Sequence, residues 1–275
     1  MRAAVVTAFD RAPRYQDFAL PDSLGPHEAV VDVLAVGLHP RVRSQTDGSH
    51  YTSTDELPLV PGIDGVARTP DGKLRYFILP HTRLGSMAEQ TVVDLRRSVE
   101  LPDGANPIQI AAAMNPAMSS WIALRRRIDF QPGQSVLIMG ATGNAGRLAI
   151  QVAKKLGAGR VTAVGRGADR LSDLGADATV CLDGDERAVS QALGEAGRDV
   201  DVVIDYLWGQ PTHDALCAIV PRRVDDGQVL TWIQIGSVAG LESSIPSAAL
   251  RASRLQLVGS GQGSVSTRDI VAALA

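Results

Sequence analysis

The stretch Gly140-Ala141-Thr142-Gly143-Asn144-Ala145-Gly146 stands where an apolar run, Ser135 to Met139, gives way to residues of helical spacing. A strand that runs into glycines and then a helix gathers backbone N–H groups at a helix N-terminus, a geometry that holds a pyrophosphate. Gly143 lets the backbone come close to the phosphates, and Gly146 lets the helix pack tightly on the strand. Ala141 takes the first glycine's place in the G-x-G-x-x-G pattern. A second apolar run ends at Gly165-Arg166, about 20 residues on, where the residue that reads the adenine ribose belongs. An acidic residue there accepts hydrogen bonds from the ribose of NAD, whereas a small residue followed by Arg leaves room and charge for a 2′-phosphate. The pattern predicts NADPH as cofactor. Arg170 is a second cation for that phosphate or a solvated helix residue, and Asp169 keeps NAD open as the alternative.

Three further clusters fall where short apolar runs end. Tyr206 and Trp208 in Asp205-Tyr206-Leu207-Trp208-Gly209 are expected to wall a nicotinamide pocket. Ile235-Gly236-Ser237 and Gly259-Ser260-Gly261 carry glycines that let backbone approach a ligand, and they also suit plain strand-end turns. Asn115 and Ser119 precede the nucleotide-binding region and are candidates to bond a carboxamide or a substrate oxygen. Their other reading is capping of the helix that carries Trp121. His27, His81 and His213 sit in loops or near a helix start and receive no role.

The elements that must position these residues change in texture along the chain. Up to about residue 120, apolar residues come in short alternating runs: Ala3 to Thr7, Ala29 to Val36, Gly65 to Arg68, Tyr76 to Leu79 and Ala88 to Val93. That is the pattern of a β-rich domain. From Pro116 onward, helical spacing in Ser119 to Ile128 and Asn144 to Leu156 alternates with Val/Ile-rich runs. Six such runs are expected to be parallel strands: Ser135 to Met139, Val161 to Val164, Ala178 to Leu182, Asp201 to Asp205, Gln228 to Ile235 and Leu255 to Val258. Alternation of strand and helix gives an α/β doubly wound Rossmann sheet. The last residues, Asp269 to Ala275 after Ser266-Thr267, read as a helix in mid-course, so either the sequence is shortened or the protein lacks a closing segment.

Composition narrows the partners. The chain has 275 residues and a formal charge of −3, which gives no electrostatic reason to bind nucleic acid or an anionic membrane. The basic clusters Arg96-Arg97, Arg125-Arg126-Arg127 and Arg222-Arg223 read as solvated edges. Cys181 and Cys217 have no metal-like spacing, and their apolar flanks suit buried small residues. No signal pattern opens the chain and no apolar run is long enough to span a bilayer, so a cytoplasmic protein is expected.

With Ser135 to Gly146, the helix that follows to Gly157 and Leu171-Ser172-Asp173-Leu174-Gly175-Ala176-Asp177 in view, the chain resembles the medium-chain dehydrogenase/reductase superfamily. Asn115-Pro116 and Asp47-Gly48-Ser49-His50-Tyr51 make it most similar to the zinc-free quinone oxidoreductase and enoyl reductase branch. The resemblance implies a β-rich, GroES-like substrate domain over residues 1–119, to which 265–275 is free to return, and a Rossmann domain over 120–264, with the active site in the cleft between them. It also implies a homodimer. The zinc-binding places of the superfamily fall on His39, Ile63 and about Asn115. A catalytic zinc needs three protein ligands, so no metal is expected.

The resemblance implies reduction of quinones or α,β-unsaturated carbonyl compounds by hydride from NADPH. Tyr51 stands where enoyl reductases of this superfamily carry a tyrosine that donates to substrate, and a loop tyrosine packed at the domain edge is its other reading. Two alternatives stay open: a pathway-specific enoyl or carbonyl reductase, and a non-catalytic NADPH-binding sensor.

Overall fold

A computed structural model describes residues 1–50, 53–79, 83–261 and 263–274. The chain divides into two compact units, residues 1–115 with the last two residues of the chain, and residues 116–273.

The first unit holds β1 (Arg2–Val5), β2 (Arg14–Asp17), β3 (Glu28–Ala35), α1 (Pro40–Thr46), β4 (Asp64–Arg68), β5 (Leu74–Ile78), β6 (Gln90–Asp94) and β7 (Ser98–Glu100). β1 and β2 form an antiparallel pair, and the other five strands form an antiparallel sheet in the order β6-β3-β4-β5-β7. Alternation places Val31 and Val93 in one small core with Ala67 and Phe77, while Val66 and Tyr76 turn to the other face beside Ala111 and Leu274. α1 begins at Pro40, whose fixed φ suits a first helical position, after His39 as N-cap.

α2 (Pro107–Ile122) carries the chain from the first unit into the second. It starts earlier than the spacing from Ser119 suggests, because Asn106 accepts from the backbone N–H groups of Ile108 and Gln109 and Pro107 follows it. Asn115 and Ser119 therefore lie inside the helix, and the expectation that they cap it is corrected. The helix passes through Pro116 and ends in a π-helical turn, Ala123–Arg127.

The second unit continues with β8 (Ser135–Met139), α3 (Asn144–Lys155), β9 (Arg160–Gly165), α4 (Ala168–Ser172), β10 (Ala178–Cys181), α5 (Glu186–Gly197), β11 (Val202–Asp205), α6 (Gly209–Ile219), β12 (Leu230–Gln234), α7 (Ser247–Ala252), β13 (Leu255–Gly259) and α8 (Thr267–Leu274). The six strands pair in parallel in the order β10-β9-β8-β11-β12-β13, a doubly wound sheet with its switch point beside β8. The runs read as strands in the sequence are all present, with ends moved by one or two residues. Burial on both faces explains why they are continuous rather than alternating. In β8, Val136 and Ile138 join Ala149, Ile150 and Ala153 of α3, while Leu137 and Met139 join Leu193 of α5 and Ala215, Leu216 and Ile219 of α6.

Three local expectations change. Arg223 is buried, because its guanidinium donates to the carbonyls of Gly197 and Val200 at 3.2 and 2.7 Å rather than to solvent. Cys217 lies on the exposed face of α6, and Cys181 is half-buried at the end of β10.

Candidate functional site

The turn after β8 is shaped by contacts that exclude side chains. Gly140 has φ of +85°, a left-handed conformation that favours glycine. A Cβ on Gly146 would lie 2.3 Å from the carbonyl oxygen of Gly140 and 2.6 Å from Cα of Ala141. α3 can therefore come down onto the turn only with glycine at that place. Gly143 is the N-cap and offers no side-chain hydrogen bond to the helix end. The N–H groups of a helix's first turn have no carbonyl within the helix to bond and point outward, as an anionic ligand requires. The cradle fits the pyrophosphate of a dinucleotide.

β9 ends beside this turn. A Cβ on Gly165 would stand 3.1 Å from the Thr142 side chain, so its absence keeps the space over the turn clear. Arg166 is three-quarters exposed, and its Nε lies 3.9 Å from Oδ1 of Asp183. Arg170 folds back over Gly167, where a Cβ would meet its Nε at 2.7 Å. Asp183, which no pattern in the sequence singles out, also accepts from the N–H of Gly167 at 2.7 Å. The place expected for the ribose phosphate thus holds Arg166 and Arg170 together with the Asp183 carboxylate, and Asp169 stands in the first turn of α4 beside them.

The turn after β11 is organised by Asp205, another residue that the sequence patterns leave without a role. Its carboxylate is fully buried and takes four donors: the N–H groups of Leu207 and Trp208 at 2.8 and 3.0 Å, the Thr212 hydroxyl at 2.5 Å and the Trp232 indole N–H at 3.0 Å. A charged residue closing the apolar run Val202-Val203-Ile204 was the signal available. Trp208 has φ of 55° and ψ of −164°, a conformation that costs a non-glycine residue about 1–3 kcal/mol. Trp208, Trp232, Gln234, Leu257, Val258 and Gly259 line an open recess at the carboxyl ends of β12 and β13.

Tyr206 is buried against α2. Ser119 donates its hydroxyl proton to the carbonyl of Pro116 at 2.6 Å, so the Tyr206 hydroxyl, 2.9 Å away, donates to Ser119. Burial pushes the Tyr206 phenol up to about 12. Ser119 and Tyr206 are thus brought together, with Ser119 left only as an acceptor toward any third group. Gly236 approaches the Tyr206 carbonyl so closely that a Cβ would stand 2.7 Å from it, and the N–H groups of Ile235 and Gly236 bond the Asp205 carbonyl. Ser237 follows them, while Ser260 is buried and bonds Gln234 through the backbone. Tyr51 and His81 lie outside the described residues.

In the first unit His39 stands 3.2 Å from the buried carboxylate of Asp64, which also accepts from the Tyr76 hydroxyl at 2.7 Å. Burial, with the Asp64 charge second, raises the Tyr76 phenol well above its ordinary value. Among the described residues no three or more His, Cys, Asp or Glu gather as a metal site would require. No helix among them is long and apolar enough to cross a membrane.

No family model matches the chain. It is 31% identical, over 98% of its length and 87% of the relative's, to the probable NADPH-dependent quinone reductase tdiC of Emericella nidulans. It is 26% identical to the trans-enoyl reductase pgmF of Aspergillus terreus, over 80% of the chain and 65% of that protein. The crystal structure of the quinone oxidoreductase from Thermus thermophilus, also determined with NADPH, superposes with a TM-score of 0.79 at 24% identity, covering 96% of this chain and 81% of that one. The glycine cradle, the strand order and these likenesses agree, and the chain belongs to the quinone oxidoreductase and enoyl reductase branch of the medium-chain dehydrogenase/reductase superfamily.

Proposed function

We propose that this chain reduces quinones or α,β-unsaturated carbonyl compounds with NADPH, without a metal. The observation that carries the reading is the steric closeness around Gly146, which admits no side chain and brings the N-terminus of α3 down onto the turn after β8. In this reading Gly140, Ala141, Thr142, Gly143, Asn144 and Ala145 hold the pyrophosphate, and Arg166 with Arg170 takes the 2′-phosphate over Gly165. Tyr206, Trp208, Ile235, Gly236, Ser237, Gly259 and Ser260 surround the nicotinamide half. NADPH supplies a hydride when bound, and the chain's part is to orient the acceptor and manage one proton. Tyr51 is the candidate donor to the substrate oxygen. Asn115 is a candidate to bond that oxygen, and Ser119, whose own proton is committed to Pro116, acts on it through position.

An acceptor with an electron-poor alkene or quinone ring needs no Lewis acid to take a hydride, which suits a unit whose His39 is paired with Asp64. The reaction should therefore survive a strong chelator. The likeness to a trans-enoyl reductase supports an enoyl intermediate as the alternative substrate. The sheet ends at β13, an edge whose Leu257 is exposed, and we propose a cytoplasmic homodimer that pairs two such edges. NADPH oxidation followed against a panel of quinones and enones tests the function. Turnover on at least one class is expected, whereas tight NADPH binding without turnover on any acceptor would favour the sensor.

A further inference from the structure

Away from the glycine turn, α6 carries a nucleophile and a base on one face. His213 and Cys217 are four residues apart in the helix, so they stand one above the other. His213 Nε2 lies 3.7 Å from Cys217 Sγ, within reach of a thiol hydrogen bond. The other ring nitrogen, Nδ1, lies 2.8 Å from the carbonyl oxygen of Ser244. A carbonyl only accepts, so Nδ1 carries the hydrogen, and Nε2 of the neutral ring turns its lone pair to the thiol. The tautomer is thus set by a residue outside the helix.

The pair is held from both sides. Ser243 donates its hydroxyl proton to the Gly209 carbonyl at 2.8 Å, and Ile245 packs on the core that holds Leu216 and Trp232. Those two anchors fix the Ser244 carbonyl between them. Leu216 and Ala218 are buried on either side of Cys217, whose own side chain is exposed. The neighbouring carboxylate, Asp214, is engaged by the Gln210 amide at 2.7 Å. Packing gives no reason for a thiol on the exposed face. A nucleophile within reach of a base, with the base oriented by a third group, is the arrangement that activates a cysteine.

We infer that Cys217 is a modification site, a thiol with His213 as its general base, and that it takes electrophilic alkenes conjugated to a carbonyl. The electrophile class rests on the proposed reaction, whose acceptors are such alkenes. In the step, the Cys217 proton passes to His213 Nε2 and the sulfur bonds the β-carbon. The π pair of the alkene moves onto the carbonyl oxygen, and the enolate then takes one proton at its α-carbon, which returns His213 to the neutral form. The thiol has added across the alkene, and neither an oxidant nor a reductant is needed.

The test exposes the whole chain to methyl vinyl ketone without NADPH and follows each cysteine by peptide mass spectrometry. Cys181, half-buried with its Sγ 3.7 Å from Oδ2 of Asp183, is the reference within the same molecule. Cys217 should be alkylated about tenfold faster than Cys181 or more. His213→Asn keeps an N–H for Ser244 and removes the base, so it should slow Cys217 about tenfold and leave Cys181 unchanged. A faster Cys181 in that variant would mark a loosened fold, and His213→Gln then takes its place with the same expectation. Alkylation of Cys217 no faster than that of Cys181 in the wild type, or a wild-type rate at Cys217 in the variant, would overturn the inference. No cofactor is added, so failure of the proposed reductase reaction would show in the NADPH oxidation assay and not in these rates.

Discussion

The carbonyl oxygen of Gly140 and the α-carbon of Gly146 approach so closely that a methyl group on Gly146 would lie 2.3 Å from that oxygen. The atom it meets is backbone, which cannot rotate away. Gly146→Ala should therefore push α3 off the turn and cost roughly 1–3 kcal/mol of stability. NADPH affinity should fall at least about tenfold, since the phosphate-facing N–H groups move with the helix. Thermal melting and a binding titration check both, and unchanged NADPH affinity would detach the turn from the cofactor.

Asp205 ties β11 to β12 through four donors, two of them side chains buried with it. Asp205→Ala leaves all four without a partner, and each buried unsatisfied donor costs about 1–3 kcal/mol. Relaxation and water entry will recover part of this, so a loss of about 3–5 kcal/mol is expected, read from the denaturant midpoint. Thr212→Val, which removes one donor from the same carboxylate, should cost less. Equal losses would mean that the network does not act through Asp205.

Arg166 and Asp183 make opposite predictions at one place. A guanidinium bonded to a 2′-phosphate contributes roughly 1.5–3 kcal/mol, so Arg166→Ala should weaken NADPH about tenfold or more and leave NADH nearly unchanged. Asp183→Asn removes the charge 3.9 Å from Arg166 and should tighten NADPH. Its amide oxygen can still accept from Gly167, which keeps the loop in place. Equal losses for NADH and NADPH in Arg166→Ala would show the arginine packing on the adenine instead.

Tyr206 gives a pH dependence with a definite sign. Its phenol is held at about 12 against an ordinary value of 10.0, so the folded chain keeps that proton more tightly than the unfolded one. The contribution is fully present below about pH 10 and is lost as pH rises through about 12, on the order of 2–3 kcal/mol. Tyr206→Phe should be less stable near neutrality, having lost the bond to Ser119, yet should lose less on going from about pH 9 to about pH 11.5. Denaturant midpoints at the two pH values check this, and parallel declines would contradict it.

The sheet could be read from the chain because strands buried on both faces leave unbroken apolar runs such as Ser135 to Met139. The start of α2 is also written in the sequence, as Asn106-Pro107, but it lies well upstream of the periodic residues that mark the helix from Ser119. Other features depend on partners distant in the chain. Arg223 is buried because carbonyls of Gly197 and Val200 meet it, and nothing in Arg222-Arg223 itself separates the exposed arginine from the buried one. Asp205 reaches Trp232, and Asp64 joins His39 to Tyr76. The strained backbone of Trp208 follows from a turn shape that sequence pattern does not express. Within the candidate site, the glycines marked places where backbone comes close to backbone, whereas the side chains around them are set by tertiary contacts.

Hydride transfer from NADPH to an activated alkene or quinone is the step on which the proposed function stands, and an isotope label follows that hydride. NADPH deuterated at C4 in one configuration, then in the other, is supplied with an enone that the wild-type protein reduces, and the product is analysed by mass spectrometry. Deuterium is expected at the β-carbon of the saturated product from one configuration and not from the other, because a fixed nicotinamide presents a single face. A saturated product unlabelled from both, or consumption of NADPH with no reduced acceptor, would rule out direct hydride transfer.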